Sequence, residues 1–154
     1  MNQDRCQLLE TISALRQSGD RLRLANALRK LGEMERSLPE TDGGVAAYRE
    51  AVEILRQDER GLRLAHTVRH LGDVYRHAGR LDDAEECYAE ALRIYRAHPE
   101  VSDLELANAL RSAAILKEKT GGRDAAAAFW QEAKSRYQSE GVAAGVEESS
   151  RRLK

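Results

Sequence analysis

The chain repeats itself about every forty residues, which restricts it to architectures in which like units stack. The segment 24–32 (LANALRKLG) returns at 64–72 (LAHTVRHLG) and at 106–114 (LANALRSAA), offset by 40 and then 42 residues. A second block keeps the same offsets: 48–55 (YREAVEIL), 88–95 (YAEALRIY) and 130–137 (WQEAKSRY). Self-similarity at this period marks an array in which each unit buries its apolar face against its neighbours and leaves outer surfaces free for binding.

Each block carries helical rather than strand periodicity. In the middle unit Leu64, Val68, Leu71 and Tyr75 fall on one face of a helix expected over 61–77. Gly79 is placed to end it in a left-handed conformation. Asp82 is the expected cap of a second helix carrying Ala84, Tyr88, Ala91, Leu92 and Tyr95, with Pro99 beyond its end. Pro39 with Gly43-Gly44 marks the turn of the first unit, and Gly121-Gly122 that of the third. With 2 Pro, 5% aromatic and 33% charged residues, the composition suits an all-α chain. The 154 residues fit a single domain. It divides into an N-terminal half-repeat (2–19), three full units (21–60, 61–102 and 103–140) and a C-terminal capping helix (142–154), or about eight helices. In the capping helix Glu147, Glu148, Ser149 and Ser150 read as polar erosion of a face turned to water.

The middle unit resembles the tetratricopeptide repeat family, in its longer form of 40 to 42 residues found in kinesin light chains and in many bacterial regulatory proteins. Val68, Leu71, Gly72, Tyr75, Gly79, Ala84, Tyr88 and Ala91 stand at the family's signature spacings. The resemblance implies a right-handed α-solenoid of antiparallel hairpins whose first helices line a concave surface. Departures occur at Glu35 and Lys117, which replace Tyr75, at Pro39 in place of Gly79, and at Ala114 in place of glycine. Arg29, Arg69 and Arg111 stand where the kinesin form carries asparagines on its binding face, so kinesin-type cargo recognition does not transfer.

A helical wheel independently separates the apolar arc Leu24, Leu28, Leu31 from a polar arc of Asn26, Arg29, Glu33 and Arg36. The matching residues are His66, Arg69, Asp73 and Arg76 in the middle unit, and Asn108, Arg111 and Glu118 in the third. These eleven are the candidate peptide-binding residues. Arg29, Arg69 and Arg111, with Arg151 at the same phase, form a ladder of planar forks suited to carboxylates, and Asn26 and Asn108 can bond a peptide backbone. The competing reading lets the arginines cover neighbouring helices or pair with Glu33, Asp73 or Glu118. His66, His70, Asp73 and His77 share an arc, but one straight helix cannot wrap four ligands around one ion, so no metal is expected. Tyr48, Tyr88 and Trp130 at one phase, and Leu55, Tyr95 and Tyr137 at another, read as core, with hydroxyl and indole groups reaching the surface.

No phosphate-cradling loop, nucleophile elbow or Cys-His pair is legible, so neither an enzyme nor a cofactor is expected. The leading expectation is a protein-binding scaffold holding an extended or helical segment in its groove, with the arginine ladder suited to an acidic one. The alternative is self-association into a homo-oligomer through exposed helix faces, with Phe129, Val142 and Val146 as candidates. A net charge of -1 and interspersed charges predict neither nucleic-acid nor membrane partners. Cys6 and Cys87 read as ordinary thiols, and the absence of an apolar leader or a span of ~20 apolar residues predicts a cytoplasmic protein.

Overall fold

The computed structural model describes residues 2–35, 42–57 and 61–154, which form eight helices and no strand among them. They are α1 (Asn2–Ser18), α2 (Arg21–Glu35), α3 (Asp42–Gln57), α4 (Gly61–His77), α5 (Leu81–Ala97), α6 (Asp103–Lys119), α7 (Arg123–Ser139) and α8 (Ala143–Arg152). Helices α2–α3, α4–α5 and α6–α7 pair as hairpins. Each second helix also packs on the next first helix, through the contacts α1–α2, α3–α4, α5–α6 and α7–α8, and α4 touches α6. The result is an all-α solenoid.

At the α4–α5, α6–α7 and α7–α8 joints a left-handed glycine follows the end of the preceding helix. Gly79, Gly121 and Gly141 have φ of 77°, 80° and 69°, and the N–H of the following residue reaches back to the carbonyl of Tyr75, Lys117 or Tyr137 at 2.8–2.9 Å. This closure satisfies carbonyls that a helix end leaves without partners. Two turn expectations need correction. Gly43-Gly44 lies inside the first turn of α3, where a Cβ on Gly43 would collide with the Glu35 carboxylate; Pro39 is outside the described residues. Arg80, with no capping side-chain bond, precedes α5, and Asp82 lies in the first turn beside Asp83, where a carboxylate faces the positive end of the helix dipole. Ser102 caps α6 by accepting the Glu105 N–H at 3.2 Å, a Ser-x-x-Glu signature that the repeat comparison overlooked.

Small residues set the distance within a hairpin. A Cβ on Gly32 would stand 2.6 Å from the Tyr48 ring, and one on Gly72 would stand 2.7 Å from the Tyr88 ring. Both rings are buried, as is Trp130 against Ala114. Leu55, Tyr95 and Tyr137 are buried at their shared phase as well. Polar residues of the first helices meet the polar ends of three of these aromatics. Tyr88 donates to Asp73 (2.7 Å), Trp130 Nε1 to Glu118 (2.8 Å) and Tyr137 to Asn108 (2.8 Å).

The capping helix is packed more closely than its composition suggests. Gly145 abuts the Tyr137 ring, Ser149 is fully buried and bonds the Gly145 carbonyl, and Glu148 holds Arg111. Glu148 is therefore a contact to α6 and Ser149 a buried residue, not erosion of a face turned to water. Phe129, Val142 and Val146 are half-buried against the core, and Leu153 joins Phe129 beside Trp130. Among the described residues the exposed large apolar side chains are Leu9 and Leu104.

Candidate functional site

The polar arcs of α2, α4 and α6 come together along one face as two neighbouring clefts. The first, of about 400 Å³, is lined by Asn26 and Arg29 of α2, Leu62, Arg63 and His66 of α4, and Glu105 of α6. The second, of about 630 Å³, lies between α4 and α6 and includes Arg69, Asp73, Arg76, Asn108 and Arg111. Eight of the eleven expected residues thus line the two clefts. Glu33 is exposed on α2, and Arg36 lies outside the described residues. Glu118 instead anchors the capping helix, accepting from Trp130 Nε1 and from Arg152 at 2.7 Å, while the Arg152 guanidinium lies 5.7 Å from the Trp130 ring centroid.

Asp73 is buried and serves as the hub of the second cleft, not as an open ligand contact. Its Oδ1 accepts from Tyr88 at 2.7 Å and from Ser112 at 3.0 Å, and its Oδ2 accepts from Arg69 at 3.3 Å. Arg76 approaches the same carboxylate at 3.9 Å and donates to the Tyr88 hydroxyl at 3.2 Å. A buried carboxylate needs this compensation, since an unpaired one would be costly. The two arginine side chains are each only 13% exposed. Burial, with the Asp73 carboxylate, pushes the Tyr88 hydroxyl well above its ordinary pKa, so it remains a donor.

The arginine ladder resolves into three different environments. Arg29 meets His66 Nε2 at 3.2 Å, and His66 is held down to about 4 by burial and by the Arg69 and Arg29 charges, so the ring is neutral and offers a lone pair. Arg69 is tied to Asp73, as one of the competing readings held. Arg111 makes a two-point pair with Glu148 at 2.6 and 3.0 Å, a partner the sequence reading had not proposed. Arg151 is exposed on α8. His66 and His70 meet edge to face at 4.6 Å, and His70 Nδ1 lies 3.7 Å from Asp73. Among the described residues no three His, Cys, Asp or Glu side chains gather closely enough to hold a metal ion.

A second ladder, on the outer face, went unread. Arg16 pairs with Glu50 (2.6 Å), Arg56 with Glu90 (2.7 Å) and Arg96 with Glu132 (2.8 Å), each joining one second helix to the next. The signal was present in the recurring glutamate of the second block and in an arginine spaced by 40 residues at 16, 56 and 96.

Stacked hairpins with a polar face along their first helices define a helical-repeat protein. The tetratricopeptide repeat profile matches residues 62–139, about half of the chain, and the chain belongs to the tetratricopeptide repeat family. Repeats of this family mediate protein–protein interaction and scaffolding. Among solved structures, the crystal structure of BtubC (BKLC) from P. vanneervenii is similar at a TM-score of 0.58 and 15% identity, which establishes likeness of fold. The match covers 86% of this chain and 62% of that one. No curated protein matches the sequence. No helix among the described residues is long and apolar enough to cross a membrane.

Proposed function

We propose that this chain is a non-enzymatic binding module that holds an acidic, extended segment of another protein across the face formed by α2, α4 and α6. The observation that carries this reading is the excess of guanidinium over carboxylate in the two clefts: Arg29, Arg63, Arg69, Arg76 and Arg111 against Asp73 and Glu105. Asp73 neutralises part of that charge, and Glu148 holds Arg111 from the side. Among the described residues Arg29 is matched only by a neutral imidazole, which leaves its charge available to a ligand carboxylate. The first cleft is therefore the anchoring point, and Asn26 beside it supplies an amide for a peptide backbone.

The test is a titration of the isotopically labelled protein with two synthetic peptides of equal length, one rich in glutamate and leucine and its lysine counterpart. Amide shifts centred on Asn26, Arg29 and His66 with the acidic peptide, weakening as salt rises, are expected. Preference for the lysine peptide, or shifts confined to the outer helices, would overturn the reading. A second copy as partner has weaker support, because Phe129, Val142 and Val146 are already packed against the core.

A further inference from the structure

The outer face carries a groove that the concave reading does not use. It lies between α3 and α5 over α4, has a volume of about 580 Å³, and is floored by Val52, Val68, Leu71, Tyr75 and Cys87. Burial pushes the Cys87 thiol up to about 12, so the residue presents an apolar wall and not a nucleophile. The repeat itself indicates what such a groove can hold. At the position of Cys87 the next unit carries Phe129, 42 residues on, whose ring is half-buried against the core. The central unit has a small side chain where its neighbour has a phenyl ring, and an apolar hollow is left open.

The rim selects the charge of an occupant. Glu50, Glu53, Asp83, Glu86 and Glu90 line it against Arg49 and Arg56. Arg16 reaches Glu50 from outside the groove, Arg80 pairs with Asp83 with its guanidinium over the Tyr75 ring at one end of the floor, and Arg56 spans the groove to Glu90. The charged residues that α5 contributes to the lining are all carboxylates: Asp83, Glu86 and Glu90. From the apolar hollow and this wall together, we infer that the groove between α3 and α5 is a second docking site, taking a short basic segment of a partner protein that inserts one aromatic side chain over Val52, Val68 and Leu71. A ring seated there removes apolar surface from water on both sides, and basic flanking residues meet the α5 carboxylates. The module then has two faces of opposite charge preference, one concave and one convex.

The probe is an acetylated, amidated pentapeptide, RKFKR, titrated into the labelled full chain, with RKAKR as its ring-less counterpart. Amide shifts at Val52, Val68, Leu71 and Cys87 are expected with RKFKR, with affinity about tenfold above that for RKAKR, the order expected for one buried ring. Cys87→Phe, which fills the hollow as Phe129 does next door, is expected to weaken RKFKR binding about tenfold while the spectrum remains that of a folded protein. If that variant does not fold, Glu86→Lys on the exposed wall replaces it, with a loss of about threefold expected. Equal binding of the two peptides, or unchanged binding by the folded Cys87→Phe or the Glu86→Lys variant, overturns the proposal. Loss of RKFKR binding on Arg29→Ala instead would place the peptide in the concave clefts and overturn it too. Of these results only loss of binding on Arg29→Ala also bears on the acidic reading of the α2–α4–α6 face; the others leave it untouched.

Discussion

At Gly72 a single missing carbon sets how closely a hairpin closes. The Tyr88 ring occupies the space a Cβ would need, so Gly72→Ala must push the ring or the helices apart. Overpacking of this kind costs about 1–3 kcal/mol, and a fall in the denaturation midpoint at constant slope is the expected readout. This pairing was legible in the sequence, because glycine and tyrosine recur at matched phases in two units. The role of Asp73 was not. A helical wheel gives the direction of its side chain, but the Ser112 hydroxyl that meets it comes from another unit, through a stagger the period does not specify. His66 adds a dependence on pH. The unfolded chain takes up its proton near 6.5 and the folded chain only near 4, so between those values the unfolded state holds more protons. Stability therefore rises with pH across that window and is lost as pH falls through it. His66→Gln should flatten this slope in denaturation curves collected from pH 7 to pH 4; an unchanged slope would assign it to other groups.

Among the elements, the helices were the most readable part of the chain and their joints the least. Apolar spacing marked α4 and the core face of α5, since periodicity follows directly from burial on one side of a helix. The joint between α6, α7 and α8 depends on side chains that periodicity treats as neutral. Gly145 lets α8 approach the Tyr137 ring, and Arg111 and Glu118 hold Glu148 and Arg152. The two ion pairs are partly exposed, and such pairs contribute about 0–1 kcal/mol each, so close packing is the main restraint on this helix. Gly145→Val should accordingly release α8 alone. Hydrogen exchange is expected to speed up for amides 143–152 while α4 and α5 stay protected; equal loss of protection across the chain would show that α8 supports the whole array.

The molecule as a whole places guanidinium groups along the face formed by α2, α4 and α6, while a second ladder pairs arginine with glutamate from one second helix to the next. This face was legible as a face because its residues recur at one phase on each first helix. Which of its arginines are available to a ligand was legible only in part: the Arg69–Asp73 pair was one of the competing readings, but Glu148 becomes the partner of Arg111 only in three dimensions. Arg69, central by sequence, is a poor probe of binding: its removal would leave Asp73 undercompensated and disturb the fold itself. Arg29 is the better one, and Arg93, exposed on the second helix α5, is its control. The most direct test is calorimetric titration of the acidic peptide into wild-type protein, Arg29→Ala and Arg93→Ala. Loss of a charge-assisted contact worth about 1.5–3 kcal/mol is expected for Arg29→Ala, with wild-type affinity in Arg93→Ala. Wild-type affinity in folded Arg29→Ala, or a greater loss in Arg93→Ala, would contradict binding on the concave face.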